Sequence, residues 1–208
     1  MKESNYEEGT VKGNLILAGI EELGKNGVQN FSLRRVASSC GVSCAAPYKH
    51  FKDKEAFLLA VIEYINELWS KRHEEVLADF VGDVRQKLIA TSMAYIHFLV
   101  DRPHVRSIIM MKDSDFGTSF TKSKSHLSLR SQSLIREYCQ QVNMPKDVET
   151  YKTFVVRSII YGAALMIDNG EIENCQQSYD YTEMIISREF DIGDGYYPPA
   201  PAITGASY

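Results

Sequence analysis

Apolar residues recur at helical spacing along most of the chain, and no segment keeps the strict alternation of a β-strand. One such stripe runs from Thr10 to Lys25, where Thr10 is a suitable N-cap and Gly27 lies just beyond the end. A longer stripe begins after Asp53, another capping residue, and continues to about Phe80. The pattern predicts an all-α protein of about nine helices.

Five further helical segments are expected after a break at Gly82. The loop Lys112–Gly117 and the helix stop at Asn169 and Gly170 separate some of them. From Ile192 onward the chain has three prolines, three glycines and no periodicity, which predicts a flexible tail. The predicted helices are Val84–Val100, Pro103–Met111, about Thr121–Val142, Pro145–Asp168 and about Glu173–Phe190.

The segment from Phe31 to Phe57 has the pattern of a helix-turn-helix. A short helix carries the small Ala37 on its inward face, and Gly41 follows four residues later, where a left-handed backbone can reverse the chain. Ser43 then supplies an N-cap for a second short helix, the recognition helix, predicted at Cys44–His50. This geometry places a helix in the major groove of DNA.

The same segment resembles the N-terminal domain of the TetR/AcrR family of bacterial transcriptional regulators. The resemblance is carried by SLRRVASSCGVS, by Tyr48-Lys49-His50-Phe51 and by Lys54-Glu55, and covers roughly the first third of the chain. It implies a three-helix DNA-binding domain, joined by a long helix to a helical domain for ligand binding and dimerisation. We expect these domains at 1–54 and 55–191, with the tail at 192–208.

Positive charge is concentrated in the helix-turn-helix, although the whole chain has a net charge of −4. The residues from Lys25 to Ala60 carry a net +4, whereas those from Val61 onward carry −5. An acidic body would repel phosphate and help to orient the basic end towards DNA. Chance fluctuation explains the same distribution equally well.

Specific DNA binding needs phosphate contacts for register and base contacts for sequence. Tyr48 and His50 can bond phosphates, and Ser32 with the amides of its helix can hold another. In the family, tyrosine and lysine at the positions of Tyr48 and Lys54 contact phosphates, so the resemblance implies that role here. Base reading is expected from the start of the recognition helix, with Arg34 reaching from the preceding helix. The predicted base-reading residues are Ser43, Cys44, Ala45 and Lys49.

Pro47 departs from the leucine that the family usually has at this position. It removes an early helical hydrogen bond and crowds the carbonyl of Ser43. Two interpretations stay open: a distorted first turn of the recognition helix, or a proline that merely fills a core position.

A single recognition helix reads too few base pairs to select one site in a genome, so two copies must act together on a palindromic operator. The small run Gly162-Ala163-Ala164 lets another helix come close. In the family the last two helices form a four-helix dimer interface, which implies a homodimer here. Packing within one chain is the alternative.

The middle helices are rich in aromatic, methionine and histidine residues. Family members usually enclose a small-molecule effector in this region, and the ligand releases the two DNA-binding domains from the operator. Repression is the usual role in the family, and a largely apolar or aromatic effector is expected. For each candidate residue, ordinary core packing is the alternative. The candidate ligand-binding residues are Tyr95, Phe98, Met110, Phe116, His126 and Tyr138.

The four cysteines form neither a C-x-x-C pair nor a disulfide framework. Cys40 falls in the predicted turn and Cys44 opens the recognition helix, so a structural or DNA-facing role is preferred over redox or metal sensing. No cofactor or metal is expected. No apolar run approaches the roughly 20 residues of a membrane helix, and the acidic N-terminus is no secretory signal, so a cytoplasmic protein is expected.

Two other functional classes compete with the regulator. A helical enzyme would need a recognisable site, but the sequence contains no G-x-S-x-G, H-E-x-x-H, Walker or dinucleotide-binding pattern. A non-specific architectural DNA-binding protein would tend to be basic throughout, whereas here the positive charge is confined to one segment.

Overall fold

The computed structural model describes residues 9–78 and 80–191, and in this part of the chain it contains helices and turns but no β-strand. The predicted all-α fold is therefore confirmed. Nine α-helices and three short 3-10 helices are present in the described part. The α-helices are α1 Val11–Asn26, α2 Leu33–Ser39, α3 Lys54–Ala78, α4 Val84–Val100, α5 Pro103–Met110, α6 Thr118–Ser125, α7 Leu129–Gln141, α8 Lys146–Asp168 and α9 Gln176–Glu189.

The helix ends follow the local chemistry of the sequence. The hydroxyl of Thr10 accepts a hydrogen bond from the amide of Gly13 at 3.0 Å and so caps α1. The carboxylate of Asp53 caps α3 by accepting from the amide of Ala56 at 2.8 Å. Pro103 opens α5, where a missing amide hydrogen is harmless. These ends were predictable because each depends on one or two neighbouring residues.

The described residues form two compact units, of which the first contains residues 9–78 and 97–130. In this unit α1 packs against α2, α3 and α5, and α6 packs against α3. The approach of α1 to α5 is close at Gly24, where a Cβ atom would lie 2.7 Å from the Cβ of His104. The indole of Trp69 is 2 % exposed and lies with its ring centroid 5.5 Å from that of Phe98. The core of this unit therefore extends continuously along α3.

The second unit contains residues 80–96 and 131–191, and α8 packs against α9 within it. Arg85 donates to the carbonyl of Ser187 at 2.8 Å and to that of Phe190 at 3.2 Å. The hydroxyl of Tyr138 also donates to the Phe190 carbonyl, and the two rings meet nearly perpendicularly at 5.5 Å. These contacts fasten the end of α9 to α4 and α7.

The predicted recognition helix Cys44–His50 is wrong in type and length. The structure has only a 3-10 helix at Pro47–Lys49, preceded by turns. Pro47 has no amide hydrogen that could donate to the carbonyl of Ser43. The amide of Ala46 donates to that carbonyl instead, at 2.9 Å. Ala46 occupies the N-cap position without a side-chain hydrogen bond, so the predicted cap at Ser43 is also wrong.

The single helix predicted at about Thr121–Val142 is divided into α6, a 3-10 helix at His126–Ser128, and α7. The hydroxyl of Ser125 donates to the carbonyl of Lys122 at 2.7 Å, and the hydroxyl of Ser128 donates to the carbonyl of Ser125 at 2.9 Å. Such local bonds compete with the regular helical pattern, which explains a break that apolar spacing did not reveal.

Three other predictions differ from the structure in small ways. Pro145 precedes α8 instead of opening it, α9 begins three residues later than expected, and a 3-10 helix at Asp113–Asp115 lies within the predicted loop. The tail predicted at 192–208 falls outside the described residues. Among the helices of residues 9–78 and 80–191, none combines the length and the apolarity needed to cross a membrane.

Candidate nucleic-acid interface

A tight turn after α2 brings the chain to the predicted DNA-reading segment. Gly41 has a φ of 67°, which is the left-handed conformation expected for it. The amide of Gly41 donates to Ser38 at 3.1 Å, and the amide of Val42 donates to Ala37 at 3.0 Å. A Cβ atom at Gly41 would meet no other atom within 4 Å, so the backbone angle, and not space, requires glycine there.

The reading segment, residues 43–50, continues as turns closed by bonds between residues three apart. The amide of Lys49 donates to Ala46 at 3.1 Å, and the amide of His50 donates to Pro47 at 3.0 Å. Pro47 is buried, whereas its neighbours Tyr48 and Lys49 are exposed. The two interpretations of Pro47 are thus both realised, because the proline shortens the helix and also packs inward.

Aromatic packing anchors the reading segment to α3. Phe51 is 6 % exposed, and its ring meets that of Phe57 edge-on at 4.8 Å. Phe31 lies 5.6 Å from the same Phe57 ring. Phe51 is therefore a core residue of this domain, and the buried rings hold the two sides of the turn against the long helix.

The side chains expected to contact DNA lie on the reading segment or on the helices next to it, and most of them are exposed. Tyr48 is 59 % exposed, while Ser32 is partly buried and the remaining members of the set lie on the surface. The exposed members are Arg34, Ser43, Cys44, Ala45, Tyr48, Lys49, His50 and Lys54. The arrangement offers a phenol, two ammonium groups, an imidazole and a guanidinium, all of which can donate to phosphate or to base acceptors.

Glu22 organises the start of α2, a role that the sequence patterns did not reveal. Its Oε1 accepts from the amide of Ser32 at 3.3 Å and from Nε of Arg35 at 2.8 Å. The hydroxyl of Ser32 in turn accepts from the Arg35 amide and caps α2. The hydrogen bond that the Arg35 guanidinium donates to Glu22 raises the pKa of the guanidinium above its ordinary value. Arg35 is therefore paired with Glu22 within the domain, although its side chain is exposed like that of Arg34.

The two cysteines of this region differ in their surroundings. The Sγ atom of Cys40 lies 3.5 Å from the carbonyl oxygen of Asn14 and is partly buried, whereas Cys44 is exposed on the reading segment. No group of three or more metal-ligating side chains occurs in the part of the chain that the structure describes.

The candidate ligand-binding residues are distributed over both units. Phe98 belongs to the first unit, where it is 1 % exposed and packs on Trp69. Phe116 stacks on Phe120 with ring centroids 3.7 Å apart. Met110 and His126 are exposed residues of the same unit.

Two further candidates belong to the second unit, where both have aromatic neighbours. Tyr138 packs on Phe190, and Tyr95 meets the ring of Tyr161 at 6.4 Å. Burial raises the pKa of the Tyr95 phenol well above its ordinary value, so this group stays protonated.

Comparison with known proteins confirms the family resemblance of the N-terminal region. Residues 15–61 match the model of the bacterial regulatory proteins of the tetR family. This match spans most of α1, all of α2, the turn at Gly41, the reading segment and the start of α3.

Similar proteins extend the comparison beyond this domain. The uncharacterized HTH-type transcriptional regulator YerO of Bacillus subtilis (strain 168) is 24 % identical over 191 residues, which are 88 % of this chain. The chain spans only 65 % of the length of that curated relative.

Solved structures share the fold at lower identity. A TetR family transcription regulator from Marinobacter aquaeolei VT8 superposes with a TM-score of 0.68 at 16 % identity, covering 85 % of this chain and 93 % of that one. The structure of AibR in complex with isovaleryl coenzyme A and operator DNA gives a TM-score of 0.63 at 16 % identity, covering 83 % and 94 %. These likenesses show the fold.

Proposed function

Because this chain carries the DNA-binding domain of the TetR family of bacterial regulatory proteins, we propose that it regulates transcription. It binds a palindromic operator as a homodimer in the cytoplasm, acts as a repressor, and is released by a small-molecule effector. Residues 1–54 bind DNA in this proposal, and residues 55–191 bind the effector and the partner.

The single observation that carries the proposal is that the exposed reading segment packs on buried residues of its own domain. Tyr48, Lys49 and His50 project from a turn whose inward side consists of Pro47 and Phe51. The residues that contact phosphates in this proposal are Tyr48, His50, Ser32 and Lys54. The residues that contact bases are Ser43, Cys44, Ala45 and Lys49. A 3-10 turn presents fewer side chains to the groove than an α-helix does, so DNA shape contributes to specificity.

The homodimer is supported by an exposed apolar surface on the last two helices, which we term the α8–α9 face. Phe154 is 69 % exposed, although a side chain of this size favours burial. Contiguous apolar surface of this kind marks protein–protein contacts. The face consists of Tyr151, Phe154, Leu165 and Met166 on α8 and Tyr181, Met184 and Ile185 on α9.

Gly162 supports the same assignment because no contact with residues 9–78 or 80–191 requires a glycine there. A Cβ atom at this position would meet no other atom within 4 Å. Glycine in mid-helix costs about 0.5–1 kcal/mol relative to alanine. The absence of a side chain on α8 is useful if a helix of the second copy crosses close to it.

Effector release is supported by the shared fold and by the composition of the helices after α3. AibR, a protein of this fold, has been solved with isovaleryl coenzyme A and operator DNA together. In the present chain the aromatic, methionine and histidine residues offer a largely apolar environment for an effector of its own.

Selection of DNA from a random-sequence pool tests the proposal. We expect the enriched sequences to contain an inverted repeat, and we expect one dimer to bind each repeat. Half-sites should lie about one helical turn, roughly 34–36 Å, apart or at a multiple of that distance. A binding assay with the selected and the random duplexes is the control. Equal affinity for both would contradict a specific regulator and support the architectural alternative.

A further inference from the structure

The side chain of Asn66 joins α3 to α6 in the first unit. Its Nδ2 group donates to the carbonyl oxygen of Ser123 at 2.9 Å and approaches the Ser123 hydroxyl at 3.1 Å. A backbone carbonyl only accepts hydrogen bonds, so the amide nitrogen of Asn66, and not its oxygen, must face α6. The orientation of the carboxamide is therefore fixed by its partner.

The carboxamide oxygen of Asn66 is consequently directed away from Ser123, and it is fully buried with no hydrogen-bond donor among residues 9–78 and 80–191. A buried acceptor without a donor is unfavourable, and native proteins keep few of them. Replacing asparagine by leucine would remove this cost at similar volume. The bond to Ser123 accounts for the amide nitrogen of Asn66, whereas no contact among the described residues accounts for its oxygen.

The surroundings of Asn66 are apolar and aromatic. Ile62 and Trp69, one helical turn away on either side along α3, are 0 % and 2 % exposed. Phe120 on α6 and Leu127 in the 3-10 helix that follows it are three and four residues from Ser123, and both are buried. In this environment the carboxamide oxygen is a polar group that an apolar molecule with one donor would satisfy.

We propose that Asn66 is the polar recognition residue of the effector site, and that the effector is a mainly apolar, aromatic compound with one O–H or N–H donor. The inference rests on the proposed function, because it names the chemistry of the molecule that releases the protein from DNA. The donor binds Oδ1 of Asn66, while Nδ2 keeps its bond to Ser123.

The single tryptophan of the chain makes this proposal testable, because Trp69 lies one turn from Asn66. Phenol and anisole serve as matched probes, since they share an aromatic ring but only phenol has a donor. The measurement is the emission of Trp69 in the full chain, titrated with each probe. We expect phenol to change the emission saturably, and anisole to bind about tenfold more weakly, a factor that corresponds to about 1.4 kcal/mol.

Two variants locate the preference at Asn66. Asn66→Leu removes the acceptor, and we expect the ratio of phenol to anisole affinity to fall to about one. Ser123→Ala removes the hydroxyl but keeps the carbonyl that orients the carboxamide, so the preference should persist. A wild-type protein that binds both probes equally, or shows no saturable response to phenol, would overturn the proposal without any variant. The same holds for an Asn66→Leu protein that keeps the preference.

Operator binding is measured separately on the same samples. A phenol preference that depends on Asn66, without any loss of operator affinity, would contradict effector release and leave the recognition site standing. Operator release by phenol that persists in Asn66→Leu would support the proposed function and overturn the assignment to Asn66.

Discussion

The ammonium group of Lys54 donates to the carbonyl oxygen of Val28 at 3.0 Å, which ties the first residue of α3 to the loop after α1. The same group lies 5.6 Å from the centroid of the Phe31 ring. An ammonium has three donors, so the bond to Val28 leaves donors for a phosphate. Lys54 thus connects the corner between α1 and α2 with the surface proposed to contact DNA.

Removing Lys54 or Tyr48 should weaken binding to every DNA sequence, because both are proposed to contact phosphates. Titrations at several salt concentrations measure the effect. For Lys54→Ala the slope of log affinity against log salt should decrease by about one. For Tyr48→Ala the affinity should fall while the slope is retained, because the phenol is uncharged.

Lys71→Ala is the matched control for Lys54. It removes the same charge from an exposed position on α3, about 25 Å further along the helix axis at 1.5 Å per residue. Its salt slope should equal that of the wild-type protein. Unchanged affinity in both Tyr48→Ala and Lys54→Ala would refute this mode of docking.

Placing a charge on the α8–α9 face should dissociate the homodimer. Phe154→Glu puts a carboxylate at the most exposed aromatic residue of that face, where a partner helix would have to desolvate it. Sedimentation at micromolar concentration should change from a dimer to a monomer. Val81→Glu is the control, because Val81 is 98 % exposed but lies outside the face. A wild-type monomer at that concentration would reject the dimer.

Gly24→Ala should destabilise the protein although alanine is the better helix former. The new methyl group would lie 2.7 Å from Cβ and 2.8 Å from Cα of His104, so α1 and α5 would have to move apart. We expect the free energy of unfolding to fall by about 1–3 kcal/mol in urea titrations. Gly162→Ala, whose methyl group meets nothing within 4 Å, should instead gain up to about 1 kcal/mol.

Both glycine variants are best compared in the Phe154→Glu background, so that the proposed dimer does not contribute to stability. A stable Gly24→Ala protein would mean that the helices adjust to a side chain at their contact. Equal effects at Gly24 and Gly162 would show that helix propensity, and not the contact with His104, decides the result.

Stability should decrease on mild acidification because His73 is buried on α3. Burial lowers the pKa of His73, the positive charge of Arg130 lowers it further, and Glu74 opposes the shift. The unfolded state, with a histidine pKa of about 6.5, therefore binds the proton more readily than the folded state. The contribution of His73 to the stability of the folded state is fully present above that pKa. It is lost as the pH falls towards the lower pKa that His73 has in the folded state.

Urea midpoints measured between about pH 7.5 and 5.5 check this expectation. The decrease should be smaller in His73→Gln than in the wild-type protein. If His73→Gln kept the full wild-type decrease, other groups would have to be responsible.

The reading segment shows which features the sequence could predict and which it could not. The glycine turn was predictable because a left-handed residue at Gly41 is a local requirement. The helix-turn-helix pattern and the expected cap at Ser43 predicted a helix at Cys44–His50, yet the missing amide hydrogen of Pro47 gave a 3-10 helix. Both effects of the proline were foreseeable, but their balance depended on the packing of Pro47 and Phe51 against the rest of the domain.

By itself the sequence determined the all-α fold, the caps at Thr10 and Asp53, and the resemblance of the N-terminal domain to the TetR family. These properties depend on short-range spacing and on the chemistry of neighbouring residues. Only the tertiary structure decided that Glu22 accepts from Ser32 and Arg35, and that the described residues bury the carboxamide oxygen of Asn66 without offering it a donor. Such relations join residues far apart in the chain, and packing alone determines which side chains meet and which polar atoms lose water.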